Sequence, residues 1–300
     1  MPPDVRKWFD LPRMLHHYKR HMPLVLVNGL AEQSETWFAN RKHLARYFDV
    51  KVPEILVYDG DTLHRHLDGG GVVTIDYLTD RLCLFLDEFT QRPPYHLVGS
   101  SLGCQVILTY ATRHPGRVAR MVLICPSGFH GDENLPVIEG VRRSNHKALI
   151  QSVFFHGHLA SDEMVEAFRG KFQDRRWKLG VVRTLRGTVG HSVAPLLPRV
   201  SAPTLVIWGS EDRILSDLPG AIRAADRIPR VRQVVIPRCG HAPQIEKARL
   251  TNRLISLYLR DKLRSIHPAL DPRRFLEAQE ARRRPDGIRV GIPLSFLGYE

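Results

Sequence analysis

The chain has 300 residues, of which 43% are hydrophobic and 25% charged. That is enough to bury one large core, and it excludes disorder of the whole chain. The net charge of +13 would favour anionic partners, but the cations are spread along the chain. Arg282, Arg283 and Arg284 form the only compact basic run, and no short motif reads as a nucleic-acid binder. No apolar stretch is long enough to span a bilayer. The start Met1-Pro2-Pro3-Asp4 lacks a signal-peptide pattern. Four cysteines, Cys83, Cys104, Cys125 and Cys239, form no CxxC pair and read as thiols in a reducing compartment. The expectation is a cytoplasmic protein with a small-molecule substrate, no nucleic acid and no membrane span; nothing in the sequence specifies its oligomeric state.

In chain order, short apolar runs bounded by turn residues predict strands at Leu24–Val27, Asp49–Val52, Tyr95–Val98, Met121–Cys125, Thr204–Trp208 and Gln233–Ile236. Most are rich in Val, Ile and Leu without strong alternation, as strands covered on both faces are. Helical spacing runs through Ile75–Phe89, Leu102–Arg113 and Ala242–Arg260. This order predicts an α/β fold with a mostly parallel sheet flanked by helices. From Phe129 to Arg199 no strand pattern occurs, and helical stretches such as Glu163–Phe172 and Arg175–Arg186 follow one another. The expected organisation is therefore a core of residues 1–128 and 200–262, a helical cap insertion of 129–199, and a basic C-terminal extension of 263–300.

The strongest local signal is His96-Leu97-Val98-Gly99-Ser100-Ser101-Leu102-Gly103, a G-x-S-x-G between an apolar strand and a helix. Small residues two before and two after the serine let strand and helix approach closely. The hydroxyl of Ser101 is then presented near a helix N-terminus, where a developing anion is favoured. Ser100 falls outside this frame and is expected to point elsewhere. A serine hydroxyl needs a base within reach. Among 15 histidines, His241 in Arg238-Cys239-Gly240-His241-Ala242-Pro243 follows the last strand, at the sheet edge where open α/β folds bind ligands. The acid that orients it is expected after an earlier strand, in Trp208-Gly209-Ser210-Glu211-Asp212; Asp212 fits best and Glu211 competes. The backbone N–H groups of Leu102 and of Leu30, in Asn28-Gly29-Leu30-Ala31, are the expected oxyanion donors. No metal-ligand spacing stands out.

These residues resemble the α/β-hydrolase superfamily, in particular its capped serine hydrolases, over roughly Pro23 to Arg260. The resemblance rests on Asn28-Gly29, Gly99-Ser100-Ser101-Leu102-Gly103, Trp208-Gly209-Ser210-Glu211-Asp212 and Gly240-His241. It implies the α/β-hydrolase fold and hydrolysis through Ser101, His241 and Asp212, with no cofactor and no metal. Two positions depart from the family pattern. Asn28 stands where histidine is usual, and Ala242 stands where carbon–carbon bond hydrolases often carry tryptophan. A small carboxylic ester is the expected substrate. Carbon–carbon cleavage of diketones and a non-catalytic binding role are the alternatives. Phe154, Phe155, Phe168, Phe172 and Trp177 are candidates to line a pocket under the cap, or else to pack against the core.

Overall fold

A computed structural model describes residues 22–32, 34–88, 93–130 and 146–283. The start at Met1–Asp4, part of the insertion (131–145) and the end of the extension, including Arg284, lie outside the described residues.

Six strands form one sheet: β1 (Pro23–Val27), β2 (Asp49–Lys51), β3 (Tyr95–Ser100), β4 (Val118–Ile124), β5 (Thr204–Gly209) and β6 (Val231–Ile236), in the order β2-β1-β3-β4-β5-β6. All five neighbouring pairs are parallel. All six expected strands are present. Period-two alternation divides their side chains between two cores. Val25, Val27, Leu97, Met121, Leu123, Val206, Trp208 and Val235 join one buried cluster. Leu24, Leu26, Val98, Val122, Ile124, Leu205, Ile207, Val234 and Ile236 join the other. Each such side chain, moved from water to the interior, contributes roughly 1.5–3 kcal/mol.

Helices cover both faces. On the first lie α3 (Ile75–Glu88), α4 (Leu102–Arg113) and α8 (Leu218–Ala225); on the second, α10 (Ala248–Leu259) follows the short α9 (Pro243–Glu246). The single helix expected over Ala242–Arg260 is thus two, because Lys247 leaves the helical region at φ −125°, ψ 42°. Outside the expected helical stretch, four helices were not foreseen: α1 (Phe38–Leu44), α2 (Asp61–Asp68), α8 and the helix Pro272–Arg283.

The expected helical stretch contains α5 (His146–Val153), α6 (Asp162–Gln173) and α7 (Arg175–Thr188), and no strand occurs among its described residues. Of the candidate lining aromatics, Phe172 and Trp177 are buried in the first core. Trp177 packs edge-on to Tyr58 at 5.6 Å, so these two residues tie α6 and α7 to the body. Phe154 is buried in a third, smaller cluster, while Phe155 and Phe168 are half-buried. Residues of the expected C-terminal extension pack on both cores. Leu263, Ile266 and Leu270 pack on the second core, and Phe275 and Leu276, on α11 (Pro272–Arg283), pack on the first.

The strand order reverses direction between β1 and β3. The chain steps outward from β1 to β2, crosses back to β3 and then continues to β6. In parallel sheets the crevice at such a switch point, outside the strands' carboxyl ends, is where ligands bind. The loops after β1 and β3 flank it.

Candidate active site

Five loops meet along the C-terminal edge of the sheet, and the one after β3 is the most constrained. Ser101 has φ 49° and ψ −117°, a backbone conformation that non-glycine residues rarely adopt. Its N–H donates to the Ile124 carbonyl at 3.0 Å, and its own carbonyl accepts from Cys104 N–H at 2.9 Å. The flanking glycines are dictated by space. A Cβ on Gly99 would lie 2.8 Å from Cys104 N, and one on Gly103 would lie 2.5 Å from the carbonyls of Val27 and Asn28. Strand, turn and helix close up only because neither residue has a side chain.

Ser100 is fully buried and turns away beneath the edge, as expected. Its hydroxyl donates toward Glu32 Oε1 at 3.5 Å and accepts from Gln244 Nε2 at 3.1 Å. The serine turn is thereby joined both to the loop after β1 and to the helix that follows His241.

His241 and Asp212 form a buried pair. Nδ1 of the imidazole lies 2.7 Å from Asp212 Oδ2, with 8% and 0% of the two side chains exposed. Asp212 Oδ1 accepts the N–H groups of Ile214 and Leu215 at 2.8 and 3.2 Å. Burial alone would raise this carboxyl's pKa, but the charge of His241, its hydrogen bond and the two amides together hold it below its ordinary value. Glu211 is exposed and accepts from the Ser210 hydroxyl instead, so Asp212 is the carboxylate that meets the imidazole.

In the loop after β1, three successive amides have different fates. Gly29 N–H donates to Glu32 Oε2 at 2.8 Å, and Ala31 N–H donates to Tyr58 Oη at 3.0 Å. Between them, Leu30 N–H has no acceptor among the described residues, and neither does Leu102 N–H at the start of α4. Asn28, the departure from the family's histidine, accepts the Trp37 indole N–H on Oδ1 at 2.6 Å. The side chain at this position anchors the loop.

Sequence reasoning missed three residues here. Glu32 folds back as a half-buried residue whose carboxyl lies near His241, and desolvation raises its pKa above the ordinary 4.5. A glutamate three residues after a loop glycine, able to take that glycine's N–H, was the available signal. Cys125 is buried beside Asp212, and its thiol points at the Gly240 carbonyl at 3.9 Å; burial and the Asp212 charge keep it protonated. Glu246 lies five residues beyond His241 and accepts Gly240 N–H at 2.6 Å. Among the described residues, Cys125, Asp212 and His241 are the one group with metal-compatible spacing. Asp212 and His241, two of its members, are already committed to each other by the 2.7 Å bond.

A parallel sheet carrying a strained serine turn and a buried His–Asp pair at its C-terminal edge defines an α/β hydrolase. The chain belongs to the Alpha/beta hydrolase family, whose pattern matches residues 24–254. It is 26% identical over 274 residues to the mouse (Mus musculus) monoacylglycerol lipase ABHD6, covering 82% of this chain and 77% of the relative. It is 28% identical over 178 residues to the 2-hydroxy-6-oxononadienedioate/2-hydroxy-6-oxononatrienedioate hydrolase of Paraburkholderia xenovorans, covering 55% of this chain and 61% of that one. Among solved structures, a membrane phospholipase A described as a bacterial virulence factor superposes with a TM-score of 0.69 at 21% identity, covering 82% of this chain and 81% of its own. An esterase of Thermogutta terrifontis superposes with a TM-score of 0.62 at 24% identity, covering 80% and 90%. These likenesses establish a hydrolase of this fold. Among the described residues, no helix is long and apolar enough to cross a membrane.

Proposed function

We propose that the protein hydrolyses carboxylic esters through an acyl-enzyme on Ser101, with His241 as general base and Asp212 as the acid that orients it. The observation that carries this reading is the backbone of Ser101. A serine held at φ 49° between a strand and a helix, against glycines that admit no side chain, is explained by the need to present its hydroxyl. The 2.7 Å His241–Asp212 bond supports it by fixing Nδ1 as the donor, which leaves Nε2 to take the serine proton.

The cycle then follows. Ser101 Oγ attacks the ester carbonyl as its proton passes to His241. The N–H groups of Leu30 and Leu102 receive the oxyanion. His241 returns the proton to the departing alcohol, and water, activated by the same imidazole, releases the acid. The helical insertion acts as a cap over the crevice between β1 and β3 and sets which acyl chains enter. The likeness to monoacylglycerol lipases extends the candidate substrates from small esters to monoacylglycerols.

The test combines a fluorophosphonate probe with a substrate panel. Ser101→Ala is expected to abolish labelling and to lower kcat on p-nitrophenyl butyrate by roughly a millionfold. The panel should include monoacylglycerols of varied chain length and a vinylogous diketone. Turnover of the diketone alone would move the assignment to carbon–carbon hydrolysis. Absence of both labelling and turnover in folded protein would point to a binding role.

A further inference from the structure

Where the helical insertion meets the core, three backbones converge on one side chain. Glu246, at the end of α9, accepts His156 N–H on Oε1 at 2.8 Å. On Oε2 it accepts Phe155 N–H at 3.2 Å and Gly240 N–H at 2.6 Å. Two of these donors belong to the insertion, and the third immediately precedes His241. The neighbouring amide completes the joint, since His241 N–H donates to the Val153 carbonyl at 2.7 Å.

The fit leaves no slack. A Cβ on Gly240 would lie 2.5 Å from Val153 O and 2.7 Å from Phe155 N. Apolar packing seals the same joint, because Ala242 is buried in one cluster with Ile150, Phe154, Ala160 and Val165. The Cys239 thiol also lies near the carboxylate, kept protonated by burial and by Glu246 itself.

We infer that Glu246 is a positioning residue that locks segment 153–156 of the insertion to the loop carrying His241, so that the imidazole is in place only while that segment is seated. The His241–Asp212 bond sets which way the ring faces; the clamp sets where the ring's backbone sits. A substrate that displaces segment 153–156 therefore also displaces the histidine, and fit to the insertion becomes a condition for proton transfer. This catalytic consequence rests on the serine-hydrolase reading above, whereas the mechanical coupling does not.

Glu246→Gln preserves size but replaces one acceptor oxygen with a donor, so either the His156 bond or the Phe155–Gly240 pair is lost. Amide hydrogen exchange of the intact protein is the first readout. Exchange should accelerate in 153–156 and 238–242 together, with α3 and α4 unchanged. With p-nitrophenyl butyrate, kcat should fall by about a hundredfold and KM should stay within about twofold, as misplacement of a catalytic group predicts. Fluorophosphonate labelling should slow in step. Acceleration confined to one segment, or an unchanged kcat in an enzyme that labels at Ser101, overturns the proposal.

A wild-type protein that neither labels nor hydrolyses refutes the functional reading alone, and the exchange pattern then decides the clamp. If Glu246→Gln does not fold, the wild type still carries the test in sub-denaturing guanidinium. The two segments must open as one unit with the same denaturant dependence, and separate openings overturn the coupling.

Discussion

Two loops face His241 from different strands, each bringing a carboxylate drawn away from water, and their environments drive those carboxylates in opposite directions. In the loop after β5, Asp212 meets the imidazole at 2.7 Å and takes two amides at 2.8 and 3.2 Å. In the loop after β1, Glu32 takes one amide at 2.8 Å and a hydroxyl at a long 3.5 Å. Both groups suffer desolvation, and both feel the charge of His241. Only Asp212 has enough directed donors to overcome burial, so its pKa falls while that of Glu32 rises. Proximity to a histidine does not by itself hold a carboxyl charged; a set of directed donors around the charged form does.

The largest expected effect lies on the Asp212 side. Asp212→Asn keeps the shape but turns an acceptor toward donor character, which favours the wrong imidazole tautomer, and kcat should drop roughly ten-thousandfold. The matched change, Glu32→Gln, should cost no more than about tenfold, since the bond from Gly29 N–H survives on the amide oxygen. Equal losses in steady-state kinetics would mean that the two loops are not distinguished as argued.

Stability against pH separates them further. The lowered pKa of Asp212 contributes stability that is complete above its unfolded value of 3.8 and is lost as pH falls through the folded value. Glu32 has the reverse sign. Its raised pKa means that ionisation opposes folding, a cost absent below its unfolded value of 4.5 and growing as pH rises through the folded one. Glu32→Gln should therefore raise Tm near pH 8 relative to wild type, with the gain vanishing near pH 4. A gain that is independent of pH would show that Glu32 does not titrate in this way.

The same contrast explains what was legible in the sequence. The six strands were readable because parallel strands covered on both faces are nearly continuous apolar runs. Ser101 was readable because its turn demands glycines at fixed offsets, and Asp212 and His241 because they follow strands whose ends share one edge. Helices α1, α2 and α11 were not, since FANRKHL, DTLHRHLD and PRRFLEAQEARR carry too few apolar residues for a periodic stripe. Glu32 and Glu246 were hidden for another reason. Each sits in a polar local sequence that reads as solvated, and each draws its contacts from backbone amides, of which only the Gly29-to-Glu32 spacing leaves a trace in the sequence.

The smallest effect probes the scaffold that holds the Glu32 loop. Tyr58 is buried, and its Oη accepts Ala31 N–H at 3.0 Å from 27 positions away, next to the amide proposed to receive the oxyanion. Burial and the nearby Glu32 carboxylate raise the phenol's pKa, so it stays protonated. Tyr58→Phe leaves the ring against Trp177 but orphans the Ala31 amide, at a cost of about 1–3 kcal/mol. Because the Gly29–Glu32 bond still holds the other side of Leu30, kcat should fall only about threefold to tenfold, less than one lost oxyanion donor costs. Chemical denaturation and steady-state kinetics on one preparation suffice. A kcat loss approaching that of Asp212→Asn would mean that the loop after β1 hangs on Tyr58 rather than on Glu32, and the contrast between the two carboxylates would then need a third partner.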